Sequence, residues 1–573
     1  MASFFRTIFY LIFFFGLSGC GKTTPDPEPE DPPVDPPNGE YKGSFRWNFI
    51  NGAEGFSKST GEACAFESEF LLWQQKADVY LSSPEKLHLP ADKYQTVELR
   101  MAGTATTLKL YWKKESDAAL QTVSIPLISD GKIHDYQIEL GQNIHWTGFV
   151  EQFLFQTDIN RDISIDFIKL TGIYFVPFPG LTFDLETDAA TLNELKDYLS
   201  VADKSVVVGY SSLTEYLALL DGNGDYLYYR NTTGHFNPYY LVELAKVTNM
   251  PVMIWLRGDP WGFSHAGMYQ QLFADNNNLM WKADINANPA YRSANSGYAY
   301  LCLAQEDLDG KTPLYWQQTD KLLGQCAEIV GKLIRENPDC ILGVTTNAEY
   351  KFNAENQTID LDYNPKTIRE FRDYCKQKYG NISTLNMSCG TSFATFDLRS
   401  TDFNPVTVEN ENGFDAPRTR GTPLSFWNEW KTFRAQQIHR AVTRHVEIIA
   451  QHIDSKYIYT HQVGLEADPF CSPAFCANVQ GSNVGSGAEG EKGIQELASF
   501  VKSDPARSWG IPEMCYYKSQ NPDPAKVLNE LKMMHKLGVK YLGPMPWSFD
   551  GGDIDLKGTA TFSAMRDFLK DIN

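Results

Sequence analysis

Two patterns divide the 573 residues, and together they predict an all-β sandwich followed by an α/β domain. In the first part, short runs alternate apolar and polar residues with period two between turn signals, which is the mark of half-buried antiparallel strands. In the second, short apolar runs alternate with amphipathic helical stretches, which is the mark of parallel strands with covering helices. A third observation concerns what is missing: no G-x-G-x-x-G follows the first of those apolar runs, where a dinucleotide-binding sheet carries its fingerprint. An open doubly wound sheet with a dinucleotide site is therefore the lesser alternative, and a closed (β/α)8 TIM barrel is the best form for the second part.

Taken in order, the chain begins with Arg6 followed by the apolar run Thr7 to Phe15 and then Leu17-Ser18-Gly19-Cys20. The run is too short to span a bilayer and reads as a secretory signal peptide over residues 1–19. Leu-Ser-Gly-Cys resembles a bacterial lipobox, which implies lipidation of Cys20. Gly21, in place of Asp, implies an outer-membrane anchor facing the cell surface or the periplasm. The letters Gly16 to Thr23 also match G-x-x-x-x-G-K-[ST]. A phosphate loop needs a buried strand before it and a helix after it, and here a cleavable segment precedes and prolines follow, so nucleotide binding is rejected.

Residues 20–43 form a tether. Between Thr24 and Asn38 stand seven prolines and five acids, which favour an extended polyproline-like chain. At about 3.1 Å per residue such a segment holds a folded body ~45 Å from its anchor.

Residues 44–176 carry the period-two runs, among them Val97–Met101, Thr107–Trp112, His134–Leu140 and Ile163–Leu170. The Asp130-Gly131…His134-Asp135-Tyr136 run, with Trp146-Thr147-Gly148 and Ile165–Ile168, resembles jelly-roll modules of the carbohydrate-binding kind. That resemblance implies a jelly-roll sandwich that either binds glycan or braces its neighbour.

Residues 180–573 carry the barrel pattern. The expected strands are Val206–Tyr210, Val252–Leu256, Tyr300–Ala304, Cys340–Thr346, Tyr457–His461, Trp509–Met514 and Tyr541–Met545, with the eighth at Phe475–Val479 or Thr182–Glu186. Expected helices include Pro365–Tyr379, with Asn364 as N-cap and proline at the first position, and the long Leu424–Ile453.

Composition narrows the function. A net charge of −20 makes the chain a poor partner for a phosphate backbone, so no nucleic acid is expected. Ten cysteines become nine once Cys20 is set aside, an odd number that leaves at least one unpaired or intermolecular. Cys471 and Cys476 could close a small loop, but no second Cys or His pair stands at ligand spacing, so neither metal nor cofactor is expected. The aromatic residues, 12 Trp, 29 Tyr and 35 Phe, serve cores first and sugar stacking second.

In a barrel, chemistry sits where strands end. The expected strand ends are Tyr210; Arg257 with Asp259 and Trp261; Asn347-Ala348-Glu349 after strand four; His461; Glu513 on strand seven; and Trp547 after strand eight. Two glutamates at one mouth, among aromatics and an arginine, suit glycoside hydrolysis, where one carboxyl protonates the leaving oxygen and the other attacks. With 71 acidic residues, such a pairing also arises by chance.

The stretch Ile368-Arg-Glu-Phe371-Arg372…Tyr379-Gly380…Leu385-Asn386…Gly390-Thr391-Ser-Phe393 resembles the segment after the acid/base strand in family 42 β-galactosidases and their relatives. The aromatic helix around Trp427, Trp430 and Phe433 is similar to the one that follows there. The resemblance implies a retaining glycosidase with Glu349 as acid/base and Glu513 as nucleophile. It also implies that Asn347 and Arg257 bond substrate hydroxyls and that Trp547 forms a stacking floor, with Tyr210, Trp261 and His461 as further substrate contacts. In this family's clan Asn directly precedes the acid/base, whereas here Ala348 intervenes. A literal Asn428-Glu429 pair lies in an expected helix and reads as packing; Glu355 and Glu466 are spare carboxylates. The expected substrate is an oligo- or polysaccharide. The readings held against this one are a non-catalytic glycan-binding lipoprotein, and a barrel lyase or inverting hydrolase.

Overall fold

In the computed structural model, the described residues are 45–49, 52–199, 206–215, 238–257, 302–346, 362–399, 410–461, 479–480, 509–548 and 552–572, apart from isolated positions within them. The signal peptide, Cys20 and the tether lie outside them, as do Cys471 and Cys476. Among the described residues no helix is long and apolar enough to cross a membrane.

The N-terminal part consists of two antiparallel six-stranded sheets. One is built around Thr96–Gly103 and Asp162–Thr171, the other around Thr107–Lys114 and Phe149–Thr157. Period two decides which side chains go inside. Val97, Leu99 and Met101 from the first sheet, and Leu108, Leu110 and Trp112 from the second, are buried in one shared core with Trp47, Trp73 and Phe153.

The C-terminal part is a closed parallel barrel. Its strands, in order, are one (Tyr174–Phe175), two (Val207–Val208 and Tyr210–Glu215), three (Val252–Arg257), four (Ile341–Thr346), five (Ile458–His461), six (Val479–Gln480), seven (Trp509–Cys515) and eight (Tyr541–Met545). Each pairs in parallel with the next, and strand eight pairs with strand one. Closure happens at Gly209. Val207–Val208 pairs with strand one, and Tyr210–Glu215 pairs with strand three. The Gly209 N–H donates to Phe175 O at 2.9 Å, and the next N–H, of Tyr210, donates the other way to Pro251 O at 2.9 Å. A Cβ at position 209 would stand 2.3 Å from Pro251 O, so only glycine lets the neighbouring strand approach. Gly209→Ala is therefore expected to cost about 1–3 kcal/mol of stability, read as a lower urea midpoint with unchanged slope.

Helices α1 (Leu185–Leu199), α2 (Pro238–Thr248), α3 (Leu314–Glu336), α4 (Pro365–Tyr379), α5 (Ile382–Cys389), α6 (Leu424–Ala450), α7 (Pro524–Lys536) and α8 (Ala560–Asp571) follow the strands. The main core lies between strands and helices: Ile254, Val344, Leu542, Leu323, Val442 and Phe568 belong to it. A smaller core fills the barrel interior with Tyr174, Val176, Met253, Trp255, Tyr459 and Tyr541. Helix α4 starts as its sequence predicts: the Asn364 side chain accepts from Lys366 N and Pro365 occupies the first turn.

Three strand assignments change. Residues 302–304 are irregular, and strand three pairs directly with strand four, so the expected Tyr300–Ala304 strand takes no place between them. Tyr174–Phe175 is strand one, although its period-two neighbourhood reads as sandwich, so the barrel begins before residue 176. Thr182–Glu186 is not a strand; it leads into α1, whose Asp188 carboxylate accepts from Thr182 N and Phe183 N. The surplus third strand and the missed first one offset each other, so the numbering from four onward is unchanged.

The two parts meet beneath the barrel through buried polar contacts. Lys540, at the foot of strand eight, is 1% exposed; its Nζ donates to Thr96 and Thr171 and lies 3.9 Å from Glu98 and 3.8 Å from Glu139. Arg46 of the sandwich pairs with Asp339 ahead of strand four at 3.1 Å.

Candidate active site

The C-terminal mouth of the barrel is where the strand ends converge. Strand two runs on past Tyr210 to Glu215, which stands in register with Arg257 at the end of strand three. Earlier on strand three, Met253 and Trp255 fill the barrel interior. Sequence reading stopped strand two at Tyr210 and so missed Glu215. The β-compatible run Ser211-Ser212-Leu213-Thr214 was the available signal.

Strand four ends at Thr346, with Thr345 buried. Asn347, Glu349 and the spare Glu355 lie outside the described residues, as do Trp261 and Glu466. His461 closes strand five, in register with Gln480 of strand six.

Strand seven contains the irregularity that matters most. Ile511 pairs with Leu542 and Met514 with Pro544, so strand seven has one residue more than strand eight across this interval. Ile511 and Met514 both pack outward in the main core, while a Cβ on Gly510 would meet the ring of Tyr541 inside the barrel. Plain alternation from Ile511 would turn position 513 outward. The surplus residue lifts that constraint, because plain alternation does not carry across a bulge.

Two expected site residues stand elsewhere. Tyr210 begins its segment of strand two, far from the mouth end, is fully buried, and donates its hydroxyl to Leu241 O of α2 at 2.8 Å. It is a strand–helix tie. Trp547 is 1% exposed, and its ring packs against Tyr198 of α1 (5.3 Å) and Phe562 of α8 (4.7 Å). It belongs to the helix layer and offers no floor to a sugar. Among the described residues, the tryptophan in the interior core is Trp255, edge-on to Phe178 at 5.7 Å.

The motif residues after strand four prove to be architectural. Phe371, Leu385, Trp427, Trp430 and Phe433 form a separate aromatic core over α4–α6. Asn386 accepts from Thr391 Oγ1 and Phe393 N and donates to Phe393 O, which knits the L-N and G-T-x-F signals into one turn. Glu429 accepts from Lys378 Nζ (2.7 Å) and Tyr374 Oη (2.9 Å). Burial pushes its carboxyl up, but these bonds outweigh burial and hold it below the usual range. It ties α6 to α4, as its place in a helix suggested.

A buried polar network locks residues 302–307 onto the start of α4. Thr367 donates to Asp362 at 2.8 Å, Cys302 Sγ lies 3.4 Å from Thr367 Oγ1, and Lys366 pairs with Asp307 at 3.1 Å. Burial, with Asp362 nearby, pushes the Cys302 thiol up to about 12, so it is no nucleophile at neutral pH. His445 is buried, and desolvation together with Arg444 lowers it to about 4; it is a neutral core residue.

One family model, described as β-galactosidase of glycoside hydrolase family 42, matches residues 309–476, from just before α3 to beyond strand five. No curated protein sequence matches the chain. Among solved structures, the catalytic domain of a β-amylase from Paenibacillus polymyxa is 11% identical, with a TM-score of 0.45 over 70% of this chain and 99% of that one. A β-galactosidase from Bacillus circulans sp. alkalophilus is 12% identical, with a TM-score of 0.43 over 70% of this chain and 56% of its own length. An exo-β-agarase is 10% identical, with a TM-score of 0.37 over 92% of this chain and 98% of its own. By its family match the protein is a glycoside hydrolase. The matched segment lies within the (β/α)8 barrel part of the chain.

Proposed function

We propose that the protein is a retaining β-glycosidase acting on an oligo- or polysaccharide, a β-galactoside or galactan/agar-type chain in the first instance. Glu513 is its nucleophile and Glu349 its acid/base. The observation that carries this reading is the bulge in strand seven, which is compatible with an inward position 513 in a barrel whose strand four ends three residues before Glu349. The family match, which includes residue 349, supports it. In this reading Arg257 and Asn347 bond substrate hydroxyls, and His461 and Trp261 contribute from neighbouring strand ends. Trp255, rather than Trp547, is the indole nearest to that role. The chemistry follows from two carboxyls in different states. Glu513 attacks the anomeric carbon as a carboxylate while Glu349 delivers a proton to the leaving oxygen. Forming the glycosyl ester removes the charge on Glu513, which lowers the affinity of Glu349 for its next proton and lets it deprotonate the incoming water. No metal or cofactor takes part in this scheme. The test is turnover of aryl β-glycosides with Glu513→Gln as control; an active Glu513→Gln enzyme overturns the assignment.

In the same reading the two antiparallel sheets are a jelly-roll module of the carbohydrate-binding kind, and Cys20 carries a lipid that anchors the protein to the outer membrane. Cys20→Ser is expected to move the protein from the membrane fraction to the soluble or unprocessed fraction, checked by fractionation and immunoblot. Unchanged partition removes the anchor.

A further inference from the structure

The sandwich carries a second cluster of chemistry-bearing side chains, remote in sequence from every barrel residue discussed above. His88 sits in the loop before Leu89–Pro90, Glu115 at the end of Thr107–Lys114, and Glu151 within Phe149–Thr157. His88 Nδ1 lies 3.9 Å from Glu115 Oε2 and 3.8 Å from Glu151 Oε1. These distances are too long for hydrogen bonds, so the three groups face one another without bonding directly. One ligand atom from each residue lies within 4.8 Å of the other two. The nearest point equidistant from all three is then within about 2.5 Å of each, so side-chain shifts of a few tenths of an ångström bring all three to zinc–ligand distance.

The arrangement is held from outside the cluster. The imidazole lies flat on the Phe149 ring at 4.2 Å and 10°, which sets the direction of Nδ1. The Leu87 N–H donates to Glu151 O and the Glu115 N–H to Phe149 O, both at 3.0 Å, so the backbones bearing the three ligands are locked together. Water reaches all three side chains, which leaves room for further ligands.

We propose that His88, Glu115 and Glu151 bind a divalent transition metal, zinc in the first instance. A neutral imidazole nitrogen favours zinc over calcium or magnesium, which prefer oxygen alone, and two carboxylates match the dipositive charge. The bound ion clamps the loop at 88, the hairpin at 115 and the strand at 151 into one unit. It stabilises the folded sandwich by mass action and takes no part in glycoside cleavage. Sequence spacing could not reveal it, because the ligands are single residues on three segments that only the antiparallel pairing brings together.

The test uses the full chain, stripped with EDTA and titrated with zinc chloride, followed by calorimetry and thermal unfolding. Wild type is expected to bind one zinc more than His88→Ala, and zinc is expected to raise its Tm. Glu151→Gln, which keeps shape while removing charge, is expected to weaken that site at least about tenfold and to lose the Tm rise. Equal zinc stoichiometry and equal Tm response in wild type and both variants overturn the proposal, and so does a Tm rise given by calcium chloride but not by zinc chloride.

Discussion

Glu513→Gln is expected to lower kcat on every substrate by at least about 10⁴-fold, because removing a nucleophile removes the covalent route itself. Glu349→Gln is expected to separate substrates by leaving group. A 2,4-dinitrophenyl glycoside needs no proton to depart, so its glycosylation step is nearly unchanged. A sugar leaving group needs the proton, and its turnover falls by about 10²–10⁴-fold. The alkaline limb of the pH–rate profile, which reports the acid, disappears in the same variant. Azide rescues Glu349→Ala as a glycosyl azide of retained configuration, since it attacks the glycosyl ester without base assistance. Identical responses of the two variants to leaving-group pKa overturn the assignment of Glu349, and an acid/base phenotype in Glu429→Gln transfers the role to a residue now seen tied to Lys378 and Tyr374.

The second large effect belongs to the seam between sandwich and barrel. Lys540→Met is expected to destabilise the protein by about 3–5 kcal/mol at pH 7, because it leaves buried Glu139 without its only cation and Glu98 with Lys169 alone. The two carboxylates respond to Lys540 differently. Burial pushes Glu98 up, but Lys169, Lys540 and hydrogen bonds from Tyr174 and Thr171 outweigh it and hold Glu98 down to about 2. Glu139 has Lys540 and Thr96 alone, and burial wins: its carboxyl is raised. The depressed Glu98 contributes stability that is present above its unfolded pKa of about 4.3 and is lost as pH falls from there toward about 2. The raised Glu139 has the opposite sign: its burial cost is present above its folded pKa and is relieved as it protonates on acidification. Without Lys540 both carboxyls titrate at higher pH, so the variant recovers part of its deficit as acid neutralises them. Urea midpoints at pH 7 and pH 4.5 check this: the gap between wild type and variant is expected to narrow at the lower pH. A gap that stays constant or widens removes the electrostatic account.

Local sequence determined the elements whose signals are themselves local. Period-two runs produced the sandwich strands because each such strand buries one face, and alternation alone decides which side chains enter the core. Asn364-Pro365 started α4 because the cap is satisfied within a few residues of itself. The fold class followed from the alternation of strand and helix, and the glycosidase class from motif residues that prove to be the aromatic and turn scaffold of α4–α6.

What only the tertiary structure decided are the features that depend on a neighbour distant in sequence. Tyr174–Phe175 is too short to announce itself, and it is a barrel strand because strand eight and Val207–Val208 lie on either side of it. Gly209 looks like any turn glycine until Pro251 O stands where its Cβ would be. Tyr210 and Trp547 are aromatic residues at or near expected strand ends, yet helices α1, α2 and α8 claim both side chains. Strand seven carries one residue of surplus against strand eight, which no periodicity in a seven-residue strand can disclose. The physical reason is the same in each case. Hydrogen-bond register and side-chain packing between segments tens to hundreds of residues apart set which face a residue occupies, and a one-residue shift reverses it.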